Sequence, residues 1–100
     1  MLQIKKTVQN KTAILSPAGR LDTLTAPEME EAIREATATC AALILDLSEL
    51  EYISSAGLRV LLAAQKALSV RGKMTVRRAN ETVSEIFEVT GFTDILNIEK

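Results

Sequence analysis

The chain has 100 residues, 47% of them hydrophobic and 25% charged, which suits one small folded domain and is too apolar for a disordered chain. Its 12 Lys and Arg residues nearly balance 13 Asp and Glu residues, and a net charge of −1 disfavours nucleic acid as a direct partner. His is absent and Cys40 is the single cysteine, so His-based catalysis, an internal disulfide and a thiolate zinc site are excluded. We expect no metal and no cofactor.

The segment MLQIKKTVQNKT contains no apolar run of signal length, and no stretch approaches the roughly 18 consecutive apolar residues of a membrane span. A lone cysteine suits a reducing compartment. We therefore expect residues 1–100 to form a single cytoplasmic domain that does not enter a membrane.

The first elements in the chain are two predicted strands. Leu2 and Ile4 alternate with polar residues, as in a strand with one solvated face. Asn10 and Lys11 predict a turn into a second strand over residues 12–18. Together these segments predict an antiparallel hairpin.

A helix is predicted next, over residues 26–38. Thr25 is a good N-cap residue, and Glu28 stands at the capping-box spacing. Pro27 is tolerated because the first helical turn has no hydrogen bond for it to break.

The middle of the chain predicts a buried strand followed by a second helix. Residues 42–47 (ALILDL) are nearly all apolar, which is typical of a central parallel strand covered on both faces. Residues 48–54 are predicted to be a connecting loop. A helix rich in Leu and Ala is expected over residues 55–70, with Gly72 as its stop.

The last third predicts a strand over residues 73–77, a helix capped by Asn80 and ended by Gly91, and a final strand over residues 95–98. The order β-β-α-β-α-β-α-β predicts an α/β fold with a mixed, mostly parallel sheet and helices packed on it. Partner sites in such folds lie at the carboxyl ends of strands.

Two adjacent serines, Ser54 and Ser55, stand where the central strand leads into the second helix. Free N–H groups and the helix dipole favour an anion at such a start. A serine there can also be a simple N-cap, worth about 1 kcal/mol with no further function. The small residues Ala56 and Gly57 would let another protein approach the backbone closely.

Three motifs occur in order along nearly the whole chain: GRLD with a following TA at residues 19–26, LILDLSELEYISSAGLRVLL at 43–62, and IFEVTGF at 86–92. Together they resemble the STAS domain, the fold of bacterial anti-sigma factor antagonists. The resemblance implies a partner switch that regulates transcription and is not an enzyme. The unphosphorylated protein would bind an anti-sigma factor that is itself a serine kinase, phosphorylation would release it, and a PP2C-type phosphatase would reset the switch.

The residue that the family phosphorylates lies two positions before the glycine, which is Ser55 here. Ser54 occupies the position of the family's usual aspartate and is the alternative acceptor. The resemblance implies a partner-binding set of six residues: Asp22, Ser54, Ser55, Ala56, Gly57 and Arg59.

Several alternatives stay open for the charged residues. Asp22 is either a turn residue that bonds its own backbone or a partner contact. Arg59 is solvated, pairs with an acid such as Glu51, or touches the partner. The basic cluster, which we define as Arg71, Lys73, Arg77 and Arg78, is either a solvated edge, which strand alternation favours, or an anion patch.

Other functions also stay open. A serine hydrolase lacks a histidine base for its serine and is disfavoured. A non-phosphorylated scaffold would show self-association and no modification in cells. A nucleotide- or lipid-binding module would be stabilised by its ligand, although the chain has no glycine-rich phosphate loop.

Overall fold

A computed structural model of the protein describes residues 2–99, except for the side chain of Arg71. Within this range the elements, in chain order, are β1 (Gln3–Gln9), β2 (Thr12–Leu21), α1 (Ala26–Thr39), β3 (Ala42–Asp46), β4 (Leu50–Ile53), α2 (Ser55–Arg71), β5 (Lys73–Arg77), α3 (Glu81–Thr90), a short 3-10 helix (Phe92–Asp94) and β6 (Ile98–Glu99).

The strands form one mixed sheet in the order β1-β2-β3-β5-β6, and β4 pairs with the end of β2. Among the described strands only the β1–β2 pair is antiparallel, while β2–β3, β2–β4, β3–β5 and β5–β6 are parallel. Helix α1 packs on β2 and β3 and against α2, which contacts β5, and α3 packs on β4. The expected α/β fold with a mostly parallel sheet is confirmed.

The predicted hairpin is present, and its turn lies at the predicted residues. Asn10 and Lys11 have φ angles of 51° and 63°. Two consecutive left-handed residues are the mark of the two-residue turn whose twist matches that of the flanking strands. Strand β2 continues beyond the expected residue 18 to Leu21, which brings it beside β4.

The prediction of a loop over residues 48–54 was wrong, because Leu50–Ile53 forms β4. Both Leu50 and Ile53 are buried although they are three residues apart, which breaks the alternation that marks a strand. The register explains this spacing, since Gly19 pairs with Leu50 while Arg20 pairs with Tyr52. A β-bulge therefore adds one residue to β4 and returns Ile53 to the core.

The predicted capping box of α1 does not form. Thr25 makes no side-chain capping bond; its Oγ1 instead donates to the Arg20 carbonyl at 2.8 Å and accepts from the Asp22 N–H at 2.9 Å. The Asp22 carbonyl accepts from the N–H of Ala26 at 2.8 Å. The loop before α1 thus supplies the acceptor for the first N–H group of the helix. The Thr25 side chain stabilises this loop by its bonds to Arg20 and Asp22.

Helix α3 begins and ends as predicted. The Asn80 Oδ1 accepts from the Val83 N–H at 2.8 Å, and Gly91 ends the helix with a φ of 81°. The other amide atom of Asn80, Nδ2, donates to the Leu50 carbonyl at 2.8 Å. One side chain thereby caps α3 and fastens it to β4.

The final strand was predicted at residues 95–98 but lies at Ile98–Glu99. The chain after Gly91 forms a further helical turn, in which the Leu96 N–H donates to the Phe92 carbonyl at 2.9 Å. This turn takes up the residues expected in the strand, and it leaves Ile95 exposed while Leu96 enters the core.

One hydrophobic core lies between the sheet and the helices. Its largest fully buried side chains are Leu15, Leu21, Met29, Leu43, Leu45, Leu47, Leu50, Ile53, Leu61, Leu68, Met74 and Phe87. Cys40 is a buried free thiol of the same core. Within residues 2–99, no helix combines the length and apolarity needed to cross a bilayer.

Candidate functional site

The carboxyl ends of β2 and β4 lie side by side at one edge of the sheet. Leu21 pairs with Ile53, and the Ser54 N–H donates to the Leu21 carbonyl at 2.9 Å. The loop from Asp22 to Thr25 leaves β2 at this edge, and α2 begins there directly after β4. Two motifs that are separate in the chain therefore meet at the expected end of the sheet.

Ser54 is the N-cap of α2 and is half-buried. Its Oγ accepts from the N–H of Gly57 at 3.4 Å, and its carbonyl accepts from the N–H of Leu58 at 2.9 Å. This hydroxyl satisfies one of the free donors of the first turn. The simple capping role considered for the serine pair therefore belongs to Ser54.

Ser55 is the first residue of α2 and is exposed to solvent. Its hydroxyl has no hydrogen bond to any other described residue. The two adjacent serines thus differ in what they do, since one hydroxyl holds the helix end and the other is available at the surface. Which of them accepts a phosphoryl group stays a prediction.

Asp22 is a turn residue. Its Oδ1 accepts from the Leu24 N–H at 3.0 Å and from the Thr25 N–H at 3.2 Å. These bonds, the Thr25 N–H first, hold the pKa of the carboxyl below its usual range. The loop that they stabilise carries Leu24 with 86% of its surface exposed. A partner contact by the half-buried Asp22 stays a prediction.

Ala56 is half-buried, whereas Gly57 is buried against the core. A Cβ added at Gly57 would lie 2.7 Å from the Cγ of Leu21 and 2.8 Å from the Cγ1 of Ile53. The missing side chain lets α2 pack closely on the ends of β2 and β4. A glycine is therefore needed at position 57 for packing of the hydrophobic core. A partner contact by its backbone stays a prediction.

Two arginines lie near this edge in different surroundings. Arg59, one turn into α2, is exposed and has no ion pair or hydrogen bond to another described residue, so the suggested pair with Glu51 does not form. Arg20 instead stacks on Tyr52, with its guanidinium carbon 4.4 Å from the ring centroid. This cation–π contact joins the ends of β2 and β4.

An ion pair between the buried Asp46 at the end of β3 and the exposed Arg78 was not expected from the sequence. The Oδ1 of Asp46 accepts from the Nε of Arg78 at 3.2 Å and from the Ser48 N–H at 3.1 Å. The Oδ2 of Asp46 accepts from the Nη2 of the same arginine. These bonds, the Arg78 contact first, lower the pKa of Asp46 to about 2. Arg77 lies 3.6 Å from the same carboxylate.

The basic cluster is consequently not a uniform solvated edge. Strand alternation should send Arg77 and Arg78 to opposite faces, but Arg78 has a φ of 58° and has left the strand geometry. This conformation lets the guanidinium of Arg78 reach the carboxylate of Asp46, which Arg77 also approaches from β5. No sequence signal marks this contact, because Asp46 and Arg78 are 32 residues apart.

We expect Asp46→Asn to lower the free energy of unfolding by about 1 kcal/mol at pH 7. The folded-state pKa of about 2 lies below the unfolded value near 3.9, so this stabilisation is present above about pH 4 and is lost as the pH falls toward 2. Urea unfolding at several pH values measures it. Glu49→Gln, an exposed acid nearby, is the control; equal stability of Asp46→Asn and the wild type at pH 7 would contradict the prediction.

The chain is similar to known proteins over nearly its whole length. The family model of the STAS domain matches residues 3–100. The anti-sigma-B factor antagonist of Staphylococcus aureus is 27% identical over 104 residues, which cover 99% of this chain and 94% of that protein. BtrV of Bordetella bronchiseptica, which also carries the name of an anti-sigma factor antagonist, is 45% identical over 56 residues, or 55% of this chain and 48% of its own length.

A solved structure has the same fold. SpoIIAA of Bacillus, determined in its phosphorylated form, superposes with a TM-score of 0.73 at 18% sequence identity. The superposition covers 100% of this chain and 92% of that one. At this level of identity the similarity shows the fold, and the six strands and three helices described above follow it.

Proposed function

The chain belongs to the STAS domain family, and we propose that it is an anti-sigma factor antagonist whose binding is switched by phosphorylation of Ser55. The relatives from Staphylococcus and Bordetella, both named for this activity, support the proposed function. In this proposal the unphosphorylated protein binds a cytoplasmic anti-sigma factor that is a serine kinase. A PP2C-type phosphatase restores the binding form.

The observation that carries the proposal is the state of the Ser55 hydroxyl. It is exposed and bonds to no other described residue, whereas Ser54 is engaged as the N-cap. A kinase must bring the acceptor oxygen to the γ-phosphate, and a free hydroxyl can be positioned without breaking a bond that holds the helix. This difference supports Ser55 over Ser54 as the acceptor.

The same surface offers what a protein partner requires. The loop after β2, with the exposed Leu24 and the half-buried Asp22, and the start of α2, with the exposed Arg59, leave the same end of the sheet as Ser55. Apolar, cationic and anionic groups are thus presented together on a loop and a helix fixed by hydrogen bonds. Preformed surfaces of this kind lose little conformational entropy on binding.

The electrostatics of the helix start explain how the domain would tolerate the modification. A phosphoserine adds about 1.5 to 2 negative charges at pH 7. At the first position of a helix, the dipole and the free N–H groups favour that charge. Inside an interface the same charge must be desolvated or must face like charge, which costs several kcal/mol. Phosphorylation should therefore release the partner and leave the fold intact.

Mapping of the phosphorylated residue tests the proposal. The wild type, Ser55→Ala and Ser54→Ala are incubated with the cognate kinase, and intact mass and site mapping are compared with protein taken from its own cells. We expect modification of the wild type and of Ser54→Ala, but not of Ser55→Ala. Ser54→Ala should be less stable by about 1 kcal/mol because it loses the cap.

Two results would contradict this assignment. Full phosphorylation of Ser55→Ala would place the acceptor at Ser54 or elsewhere. An unmodified protein under all growth and stress conditions would favour the scaffold or the ligand-binding function, and would reduce Ser55 to an ordinary first-turn residue.

One structural feature favours a second candidate function, that of a small-ligand module. A half-open cavity of about 360 Å³ lies between α3 and β6, within the usual range for ligand pockets. It is lined by Arg78, Ala79, Ser84, Phe87, Glu88, Thr93, Ile98 and Glu99, none of which belongs to the serine site. A rise in the melting temperature with a nucleotide or a lipid would support this function.

A further inference from the structure

Arg59, at the serine site, is a cation that has no partner among the described residues. The other arginines whose side chains are described are all engaged: Arg20 on Tyr52, Arg34 with Glu31, and Arg77 and Arg78 with Asp46. Among these residues only Arg59 is left without an ion pair or a ring contact, and it is exposed to solvent. Its guanidinium is therefore available to a new anion.

The spacing along α2 puts Arg59 within reach of the hydroxyl of Ser55. The two residues are four positions apart in one regular helix, which begins at Ser55. Residues at this spacing are neighbours on the helix surface, with Cβ atoms about 5 to 6 Å apart. Helical side chains also lean toward the N-terminus, so the long side chain of Arg59 can extend over the turn that contains Ser55.

We propose that Arg59 binds the phosphoryl group of phosphorylated Ser55 within the same helix, an inference that rests on the proposed function. The planar guanidinium fork can donate two hydrogen bonds to the phosphate oxygens. Arg20 and Arg78 are less suited, because Arg20 would have to leave the ring of Tyr52 and Arg78 would have to leave the carboxylate of Asp46.

This contact would make phosphorylation change two groups on the partner-binding surface. In the unmodified protein, Arg59 pairs with no described residue and can meet an acidic group of the partner. After modification it is held by the phosphoryl group, so the surface loses a cation and gains an anion. Both changes weaken binding to the same partner, and the internal pair partly offsets the added charge within the free domain.

The test measures the acidity of the phosphoserine itself. Phosphoserine is installed genetically at position 55 in the otherwise wild-type chain and in Arg59→Gln, Arg59→Lys and Arg34→Gln variants. The second ionisation of the phosphate is followed by 31P NMR titration at low salt. Arg59 should make the phosphate about two- to fivefold more acidic than it is in Arg59→Gln, as expected for an exposed pair.

The controls separate a specific contact from a general charge effect. Arg34→Gln removes the same charge from α1 and should leave the phosphate acidity unchanged, and Arg59→Lys should retain only part of the effect. Added salt should reduce the difference. Equal phosphate acidity in the Arg59→Gln variant and the wild-type background would overturn the inference.

Installing the phosphoserine genetically makes this result independent of any cellular kinase. If Arg59→Gln changes nothing while kinase mapping finds Ser55 modified, the inference fails and the proposed function stands. If Arg59 affects the phosphate but cells never modify Ser55, the proposed function fails while the contact is real.

Discussion

Ser55→Asp should leave the domain folded and weaken its binding to the anti-sigma factor by more than a hundredfold. An aspartate at the first position of α2 is favoured by the helix dipole, so the free energy of unfolding should be unchanged or slightly higher. In the interface the added charge must be desolvated, and a cost of about 3 kcal/mol already gives this loss. Isothermal titration calorimetry with the cognate anti-sigma factor measures the dissociation constant.

Two matched variants show whether the charge and its position cause the loss. Ser55→Asn has the same shape without the charge and should bind within a few-fold of the wild type. Ser69→Asp places the charge on an exposed residue of the same helix, about 21 Å along its axis, and should also bind normally. Binding of Ser55→Asp at wild-type affinity would show that charge at this position does not control the complex.

Gly57→Ala should lower the free energy of unfolding by about 2 kcal/mol, although alanine is the better helix former. The new Cβ would lie 2.7 Å and 2.8 Å from inner atoms of Leu21 and Ile53, two fully buried side chains. Overpacking of this kind costs up to about 3 kcal/mol, and the gain in helix propensity returns about 1 kcal/mol. Urea unfolding of the variant and the wild type measures the difference.

Gly91→Ala is the informative comparison, because its cost has another origin. Gly91 has a φ of 81°, and a Cβ there would meet nothing within 4 Å. The variant should lose about 1 kcal/mol through backbone conformation alone. If Gly57→Ala is as stable as the wild type or more stable, helix propensity outweighs packing at this position.

Sequence patterns were most informative where the signal and the structure lie within one turn. The Asn10–Lys11 turn is present, and so are the Asn80 cap and the stop at Gly91. Each depends on backbone conformation or on a bond to a residue three positions away. Such features can be predicted from the sequence because all the residues that form them are close together in the chain.

Two local signals nonetheless led to wrong predictions. Thr25 and Glu28 have the spacing of a capping box, but the Thr25 hydroxyl donates to the Arg20 carbonyl of β2 and accepts from the Asp22 N–H. The segment Leu50–Ile53 lacks strand alternation, since a bulge opposite β2 inserts one residue. In both places the competing contact comes from β2, which precedes α1 and lies far from β4 in the chain.

The sequence by itself determined the α/β order, most element boundaries, the STAS motifs and the position of two serines at the start of α2. Only the tertiary structure decided which serine caps the helix and which has no bond to another described residue, why Gly57 must be small, and that Arg77 and Arg78 share an ion pair with Asp46. The physical reason is the distance along the chain over which each interaction acts. Caps, turns and helical periodicity act between near neighbours, whereas side-chain roles at the carboxyl edge depend on which strands end there together.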